Sequence, residues 1–262
     1  NVFAMLIPPI ILQLTYPKFN PASKKWRENL MRLESLDGGS ASQGLKYNVT
    51  YNLVNAANYG IPQKRERVII VGFRSDLKIN WQFPRPTHCE DALLWSMFVT
   101  GEYWQRHNIS NYFPQEYVSR ERQRLQSKYG FWAPELQPWK TVRDAIASLG
   151  QPSNQGDHIL REGAKEYAGH TGSSIDAPSK TIKAGSHGVP GGENMIRYED
   201  GSVRYYTVAE AKRIQTFPDD YEVSGAWTEA MRQLGNAVPV ELGRIIANSV
   251  FSALDASSPR TP

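Results

Sequence analysis

The pattern of apolar and polar positions predicts a chain that mixes strands and helices. Apolar and polar residues alternate over residues 47–54, which is typical of a half-buried strand, and the apolar run at residues 68–73 predicts a more buried one. Residues 58–67 would connect these two strands as a loop. Earlier in the chain, Ser23 is suited to cap a helix that continues to about Leu36, because apolar residues recur there at helical spacing.

Helical spacing returns in residues 206–262. Thr207 predicts the start of a helix that ends before Pro218, because a proline disfavours helical geometry in the residue before it. Pro239 lies at a first-turn position that helices tolerate, so a final helix is predicted from there. The apolar stripe of that helix consists of Leu242, Ile245, Ile246, Ser249 and Val250.

Residues 85–205 lack long periodic segments and contain many Trp, Tyr, Gly and Pro residues. Short helices are predicted at residues 120–125 and 141–149, and an irregular stretch follows from residue 150 to residue 201. A long irregular loop in a compact protein is more often functional or disordered than idle. The large aromatic residues are better explained as the core of a small domain than as platforms for stacking bases: Trp95, Tyr103, Trp104, Trp132 and Trp139.

Composition narrows the class of protein and of partner. The 262 residues suffice for one large domain or two smaller ones, and a hydrophobic fraction of 40% is ordinary. No continuous apolar run reaches the roughly 18 to 20 residues of a membrane helix, and one cysteine excludes an internal disulfide framework, so a cytoplasmic protein is expected. The net charge of +4 favours an anionic partner such as nucleic acid. Cys89 and the histidines show no ligand spacing, so no metal site is expected.

The residues just before the second strand carry the most distinctive chemistry. Side chains of an extended segment alternate, so Gln63, Arg65 and Arg67 should project to one side while Lys64 and Glu66 project to the other. Planar guanidinium groups offer several fixed donors, which suits an anionic or carbonyl-rich ligand. The same residues also fit a strand whose charges are simply solvated, and the pattern by itself leaves both interpretations open.

Three segments resemble motifs of one family, the cytosine-5 DNA methyltransferases. Residues 55–68, which include the Gln63, Arg65 and Arg67 series, resemble the eighth motif of that family. Residues 207–219 resemble the ninth motif and residues 233–239 the tenth. The resemblance implies an α/β fold: part of a Rossmann-like methyltransferase domain that uses S-adenosylmethionine, with a smaller irregular target-recognition domain. It places the catalytic part at residues 1–84, target recognition at 85–205, and a supporting helix and final helix at 206–262.

The resemblance also implies roles for individual residues. Arg67 would donate to the 2-carbonyl oxygen of a flipped cytosine, Arg65 would hold a phosphate or steady the nucleophile loop, and Gln63 would order the site. Asn236 and Ala237 would close one wall of the S-adenosylmethionine pocket, although Asn236 also fits a plain helix cap. Thr181 and Ile182 resemble a family dipeptide that lies against double-stranded DNA near the flipped base. The other candidate DNA contacts are Lys183, Ser186, His187, Arg197 and Arg213, of which Arg213 equally fits an internal ion pair.

Other parts of the family pattern are incomplete before residue 55. The methyl-donor loop and the Pro-Cys nucleophile motif have no counterpart, and Asn1 and Val2 resemble the end of a Glu-Asn-Val motif. Cys89 has the wrong context for the nucleophile. We therefore expect the C-terminal portion of a bacterial, nucleoid-associated methyltransferase of a restriction system, inactive without its N-terminal catalytic part. The alternative is a non-catalytic DNA-recognition subunit, whose catalysis is supplied by a separate chain.

Overall fold

The computed structural model describes residues 47–153, 156–184 and 194–257. The predicted helix at Ser23, the residues Asn1 and Val2, and the candidate DNA contacts Ser186 and His187 lie outside these ranges. The chain forms two compact units. Unit 1 comprises the described parts of residues 1–54, 67–84 and 246–262, and unit 2 comprises those of residues 55–66 and 85–245.

The described residues combine short strands with helices, so the fold is α/β. The strands are β1 Tyr47–Asn55, β2 Gln63–Lys64, β3 Glu66–Arg74, β4 His88–Cys89, β5 Gln137–Pro138, β6 Ser173–Ser174, β7 Ser179–Lys180, β8 Met195–Arg197 and β9 Val203–Tyr205. The α-helices are α1 Glu90–Phe98, α2 Glu102–His107, α3 Gln115–Tyr129, α4 Val142–Ile146, α5 Val208–Ile214, α6 Trp227–Asn236 and α7 Val240–Ser257. Short 3-10 turns add Ala56–Tyr59, Ser75–Leu77 and Ala147–Leu149.

Unit 1 contains the paired long strands β1 and β3. The two strands predicted from the sequence are thus confirmed; β1 is one residue longer than predicted and β3 is three residues longer. Beyond β3, the ring of Trp81 lies between those of Phe73 and Phe83, and its Nε1 donates to Ser249 Oγ in the last helix at 2.9 Å. This hydrogen bond ties the end of the chain to the strand pair.

The helices predicted at the C-terminal end are also confirmed. Thr207 caps α5, where its hydroxyl accepts from Glu210 N and Glu210 in turn accepts from Thr207 N, a reciprocal capping box. Arg204 donates two hydrogen bonds, of 2.7 and 2.6 Å, to the buried carboxylate of Glu210. The final helix α7 begins at Val240, so Pro239 lies directly before its first residue and not inside its first turn.

Unit 2 encloses two hydrophobic clusters. The central cluster packs α4, α5 and α6 around the strands near residue 180, with the buried residues Val142, Ile146, Ile175, Ile182, Ile196, Tyr206, Ala211, Ile214, Met231 and Leu234. The aromatic cluster joins α1, α2 and α3, with the buried residues Ala57, Leu93, Met97, Phe98, Tyr103, Trp104, Val118 and Trp139. The candidate site described below lies on the central cluster.

The prediction that the aromatic residues form a core is confirmed for four residues and wrong for one. Trp95, Tyr103, Trp104 and Trp139 are buried, whereas Trp132 is 82% exposed. The reason is the chain reversal at Gly130, whose φ of 65° and ψ of −127° end α3 and direct the next residues outward. Only glycine adopts such a conformation without strain.

The stretch Trp227–Ala256 has the length and mean hydropathy, 1.2 over its best window, that a membrane-crossing helix requires. The structure divides this stretch into α6 and α7, which are separated at Ala237–Pro239. Within the described residues it therefore consists of two helices joined by a turn.

One carboxylate fixes the end of α3 to α1. Asp91 accepts hydrogen bonds from Arg124 Nη2 at 2.9 Å, Lys128 Nζ at 2.7 Å and Tyr129 Oη at 2.9 Å. Burial on its own would raise the pKa of Asp91, but these three donors outweigh it and hold the pKa at about 2. The ionised form is therefore the one that the fold stabilises.

Replacing Asp91 by Asn should lower the free energy of unfolding by about 1 kcal/mol at neutral pH, since two partner cations are largely exposed and solvent screens them. The pKa of Asp91 is depressed on folding, so this contribution exists above the unfolded value of about 4 and fades as pH falls toward 2. Urea unfolding at pH 7 and near pH 3 measures it. An equal difference between wild type and Asp91→Asn at both pH values would contradict the assignment.

Candidate functional site

The site begins in a rigid turn between β1 and β2. Asn55 caps the 3-10 turn Ala56–Tyr59 by accepting from Ala57 N at 3.1 Å, and Ala56 N donates to Arg65 O at 3.0 Å, which closes the loop. Gly60 ends this turn with a φ of 82°. A Cβ on Gly60 would lie 2.6 Å from the His88 ring, so both the backbone angle and the space require glycine.

The alternation predicted for residues 63–67 is confirmed by their burial. Gln63 and Arg65 are buried and Arg67 is half-buried, whereas Lys64 and Glu66 are exposed. Lys64 Nζ donates to Glu90 Oε1 at 2.9 Å and lies 4.7 Å from the centre of the Trp139 ring. The interpretation as solvated charges therefore fails for Gln63 and Arg65, which are buried, and holds for Lys64 and Glu66, which are exposed.

Arg65 reaches two distant segments of unit 2 from the inner side of this turn. Its Nη2 donates to Gly235 O at 2.9 Å, and its Nη1 lies 3.4 Å from Ile182 O. The buried guanidinium of Arg65 thus links three segments: its own, which resembles the eighth motif, that of Gly235, which resembles the tenth, and Ile182 of the Thr181–Ile182 dipeptide. Burying a cation in this way requires such acceptors.

Gly235 packs directly against the backbone of Lys183 and Ala184, the two residues that follow the Thr181–Ile182 dipeptide. A Cβ at residue 235 would lie 2.5 Å from Ala184 N, 2.6 Å from Lys183 C and 2.7 Å from Ala184 Cα. Real Cβ atoms essentially never approach other atoms so closely. The last turn of α6 and residues 183–184 therefore touch at a position that only glycine allows.

The candidate DNA-contacting strand is also bound to the turn by hydrogen bonds. β2 and β7 are parallel, with Gln63 opposite Ser179 and Lys64 opposite Lys180. Thr181 Oγ1 donates to Lys64 O at 3.0 Å. Ile182 is fully buried in the central cluster, whereas the next residue, Lys183, is exposed. Thr181 and Ile182 therefore hold the strand in place, and the side chain of Lys183 faces outward.

Two buried side chains that the sequence pattern does not predict hold the chain before and after β7. Asn194 accepts from Lys183 N and donates to Lys183 O, each at 3.0 Å, which imitates a strand partner. Asp176 accepts from Tyr103 at 2.6 Å, from Tyr112 at 3.0 Å and from Arg143 at 2.6 and 2.9 Å. Burial would raise the pKa of Asp176, but these donors lower it. Nothing in the local sequence pattern signals either role, because every partner comes from elsewhere in the chain.

Gln63 and Arg67 are the other two side chains of the series. Gln63 is fully buried, and neither its Nε2 nor its Oε1 has a hydrogen-bond partner among the described residues. A buried amide without a hydrogen-bond partner requires an explanation, such as a water molecule or an ion that completes its hydrogen bonds. Arg67 lies on β3 in unit 1, where burial lowers the pKa of its guanidinium.

Residues 215–216, in the segment that resembles the ninth motif, bind the start of α7, which directly follows the segment that resembles the tenth motif. Val240 N donates to Gln215 O at 3.0 Å, and Glu241 N donates to Thr216 Oγ1 at 2.9 Å, so residues 215–216 satisfy the free donors at the start of α7. Thr216 adopts a φ of 56°, a left-handed conformation that is rare outside glycine. Such strain at the junction is consistent with a turn whose geometry is imposed by its surroundings.

The remaining candidate residues lie at three places. Asn236 is exposed at the end of α6, and Ala237 follows it in extended conformation. Arg197 is exposed on β8. Arg213 donates to both oxygens of Asp219, at 2.8 and 2.6 Å, and to Ser148 Oγ at 2.5 Å. The described bonds of Arg213 are thus internal to the protein.

Comparison with known proteins identifies the family. Residues 40–252 match the family described as C-5 cytosine-specific DNA methylase. The type II methyltransferase M.NgoFVII of Neisseria gonorrhoeae is 34% identical over 209 residues, which are 76% of this chain and 50% of that protein. M.BsuRI of Bacillus subtilis is 29% identical over 227 residues, 78% of this chain and 42% of that protein. The chain spans about half the length of the curated relatives it matches.

Solved structures give weaker similarity. The Entamoeba histolytica methyltransferase EhMeth aligns with a TM-score of 0.39 and 13% identity over 81% of this chain and 55% of that chain. A protein described as a DNA modification methyltransferase of an Escherichia coli prophage aligns with a TM-score of 0.42 and 15% identity, over 89% and 67%. The family match alone covers most of the residues, including all three motif segments. The chain belongs to the C-5 cytosine-specific DNA methylase family.

Proposed function

We propose that the protein containing this chain transfers a methyl group from S-adenosylmethionine to carbon five of a flipped cytosine in double-stranded DNA. The observation that carries the proposal is the link made by Arg65. Arg65 connects its own turn, which would present the base-binding side chains, with two other segments. One contains Ile182 of the DNA-contacting dipeptide, and the other contains Gly235, next to the turn that would close the cofactor pocket. A base pocket, a recognition strand and a cofactor wall held in fixed relation suit a reaction between two bound substrates.

The base is held and polarised by residues 63 and 67. Negative charge develops on the pyrimidine ring and its carbonyl as the reaction proceeds, and fixed donors at that carbonyl lower the barrier. Arg67 supplies such a donor, and Gln63, whose amide has no hydrogen-bond partner among the described residues, orders the site. Flipping the base out of the duplex gives these side chains access to a ring that is otherwise stacked.

Asn236 and Ala237 would form one wall of the S-adenosylmethionine pocket, and the N-terminal catalytic part that the family resemblance implies would supply the other walls. The cofactor supplies the electrophilic methyl group when bound. Asn236, exposed at the end of α6, positions it through its amide.

Target recognition belongs to residues 85–205. Thr181 and Ile182 place the strand against the DNA, while Lys183 and Arg197 extend exposed cationic side chains that reach phosphates or base edges. Ser186 and His187, the other DNA contacts that the resemblance implies, lie outside the described residues. The names of the relatives, type II methyltransferases, support a bacterial restriction-modification system and a cytoplasmic enzyme.

The proposal is tested by expressing the complete reading frame and this chain alone, and measuring tritium transfer from S-adenosylmethionine to duplex DNA. We expect transfer by the complete protein and none by the chain alone. Arg67→Ala should lower the rate at least about a hundredfold, the usual loss when one preorganised donor is removed. Cys89→Ser is the control and should leave the rate unchanged. Transfer by the chain alone would refute its dependence on an upstream part, and DNA binding without transfer by the complete protein would favour a separate catalytic chain.

A further inference from the structure

The turn that carries Gln63 and Arg65 is held from two sides within unit 2. On its inner side, Arg65 binds two carbonyls of the protein. On the other side, toward which Lys64 projects, lies the buried indole ring of Trp139. Trp139 therefore meets the turn from the side opposite to Gln63 and Arg65, and it can act on them only through the turn.

Trp139 contacts the turn near its beginning and at its end. Its Nε1 donates to Asn58 Oδ1 at 3.0 Å, and its ring lies 4.7 Å from Lys64 Nζ. A buried indole needs an acceptor for its N–H, and Trp104 of the same aromatic cluster finds one in Met97 O at 2.7 Å, inside that cluster. Trp139 instead uses a side chain of the turn itself.

The position of Trp139 is fixed by two short strands that adjoin the turn. β4 and β5 pair in parallel, with Trp139 N donating to Cys89 O at 3.2 Å and Gln137 N donating to Thr87 O at 2.9 Å. Thr87 N in turn donates to Asn58 O at 2.9 Å. The main chain and the side chain of Asn58 are therefore bound to Thr87 and Trp139, the two residues that flank this strand pair, and the orientation of the turn is set by it.

We propose that Trp139 is a positioning residue for methyl transfer, which acts by holding Asn58 through its indole N–H. The turn fixed in this way presents Gln63 and continues directly into Arg67. This inference rests on the proposed function, because it takes Gln63 and Arg67 as the residues at the base. Preorganised donors act only in the correct geometry, so a misplacement of about 1 Å can cost a hundredfold in rate.

The test measures single-turnover methyl transfer by the complete protein on a duplex that the wild type methylates, which isolates the chemical step. Trp139→Phe keeps an aromatic ring beside Lys64 but removes the N–H, and we expect it to slow this step about tenfold. The affinity for the same duplex, measured by fluorescence anisotropy, should stay within about twofold of wild type, because a positioning residue touches no substrate.

Trp104→Phe is the matched control. It removes the same kind of donor from the same aromatic cluster, so both variants should lower the melting temperature by a similar amount, about 2–4 °C. The control should transfer methyl groups at the wild-type rate, because the acceptor of Trp104 is Met97 O and lies outside the turn. An equal loss of rate in both variants would show general destabilisation and overturn the inference.

Variants of Asn58 test whether the hydrogen bond itself carries the effect. Asn58→Asp keeps the acceptor and should retain the wild-type rate, whereas Asn58→Ala should slow transfer as much as Trp139→Phe does. The double variant Asn58→Ala/Trp139→Phe should be no slower than either single variant, because both remove the same bond.

Two further results would contradict the positioning role while leaving the proposed function intact. One is a double variant about a hundredfold slower than wild type, the product of two independent losses. The other is a Trp139→Phe variant that transfers methyl groups at the wild-type rate. A wild-type protein that methylates no duplex would instead refute the proposed function and this inference with it.

Discussion

Replacing Gly235 by Ala should destabilise unit 2 by about 3 kcal/mol and weaken binding of both DNA and S-adenosylmethionine. The new Cβ would lie within 2.7 Å of three backbone atoms of Lys183 and Ala184. Backbone atoms cannot rotate away as the end of a flexible side chain can, so either α6 or the recognition strand has to move. Either movement also displaces the carbonyl of Gly235 from Arg65, which adds the cost of a poorly satisfied buried cation.

Gly243→Ala provides a matched control in the following helix. A Cβ at residue 243 meets nothing within 4 Å, and the residue lies inside α7. Alanine favours helix over glycine, so this variant should gain roughly 0.5–1 kcal/mol. Urea unfolding followed by circular dichroism measures both variants, and titration calorimetry measures the cofactor affinity of the complete protein. Equal stability of the two variants would show that the contact at residues 183–184 relaxes easily.

The sequence predicted the elements wherever apolar spacing was regular. The strands at β1 and β3 and the helices α5 and α7 were found this way, since each buries one face or one stripe. α1 was missed because six of its nine residues are buried, which leaves no period to detect. α6 was missed although Ala230, Met231 and Leu234 follow helical spacing, because the glycine at its end was interpreted only as a turn.

The types of residue in the site could be predicted, but their partners could not. The alternation of Gln63, Arg65 and Arg67 follows from an extended backbone and is visible in the burial of these residues. What each side chain meets depends on the tertiary fold, because the partners of Arg65 lie 117 and 170 residues further along the chain. The same is true of Asp176, whose donors come from α2, α4 and a loop. Trp132 was misassigned because residue type alone does not reveal the turn at Gly130.

Gln63, Arg65 and Arg67 therefore differ in their surroundings. Arg65 faces inward and binds carbonyls of the protein, the buried amide of Gln63 has no hydrogen-bond partner among the described residues, and Arg67 belongs to β3 in unit 1. A series that looks uniform in sequence thus contains one residue, Arg65, whose described bonds brace the protein. The bracing interpretation and the phosphate-holding role implied by family resemblance predict different results for one variant.

Arg65→Met should lower the free energy of unfolding by about 3 kcal/mol, because Gly235 O and Ile182 O lose a buried charged donor that the apolar side chain cannot replace. Lys64→Met is the matched control at the next position. Lys64 is exposed and its ion pair with Glu90 is solvated, so its loss should cost less than about 0.5 kcal/mol. Unfolding in urea at pH 7 distinguishes the two variants.

The salt dependence of DNA binding then separates bracing from phosphate contact. If Arg65 braces the fold, Arg65→Met weakens DNA binding in the complete protein but leaves the slope of log affinity against log salt unchanged, since no counterion release is lost. If Arg65 binds a phosphate, stability is retained and the slope falls by about one. We expect the first result, because the described bonds of its guanidinium end on backbone carbonyls inside unit 2. The second would assign Arg65 to a phosphate contact and leave the packing of Gly235 against Lys183 and Ala184 as the main link between α6 and residues 181–184.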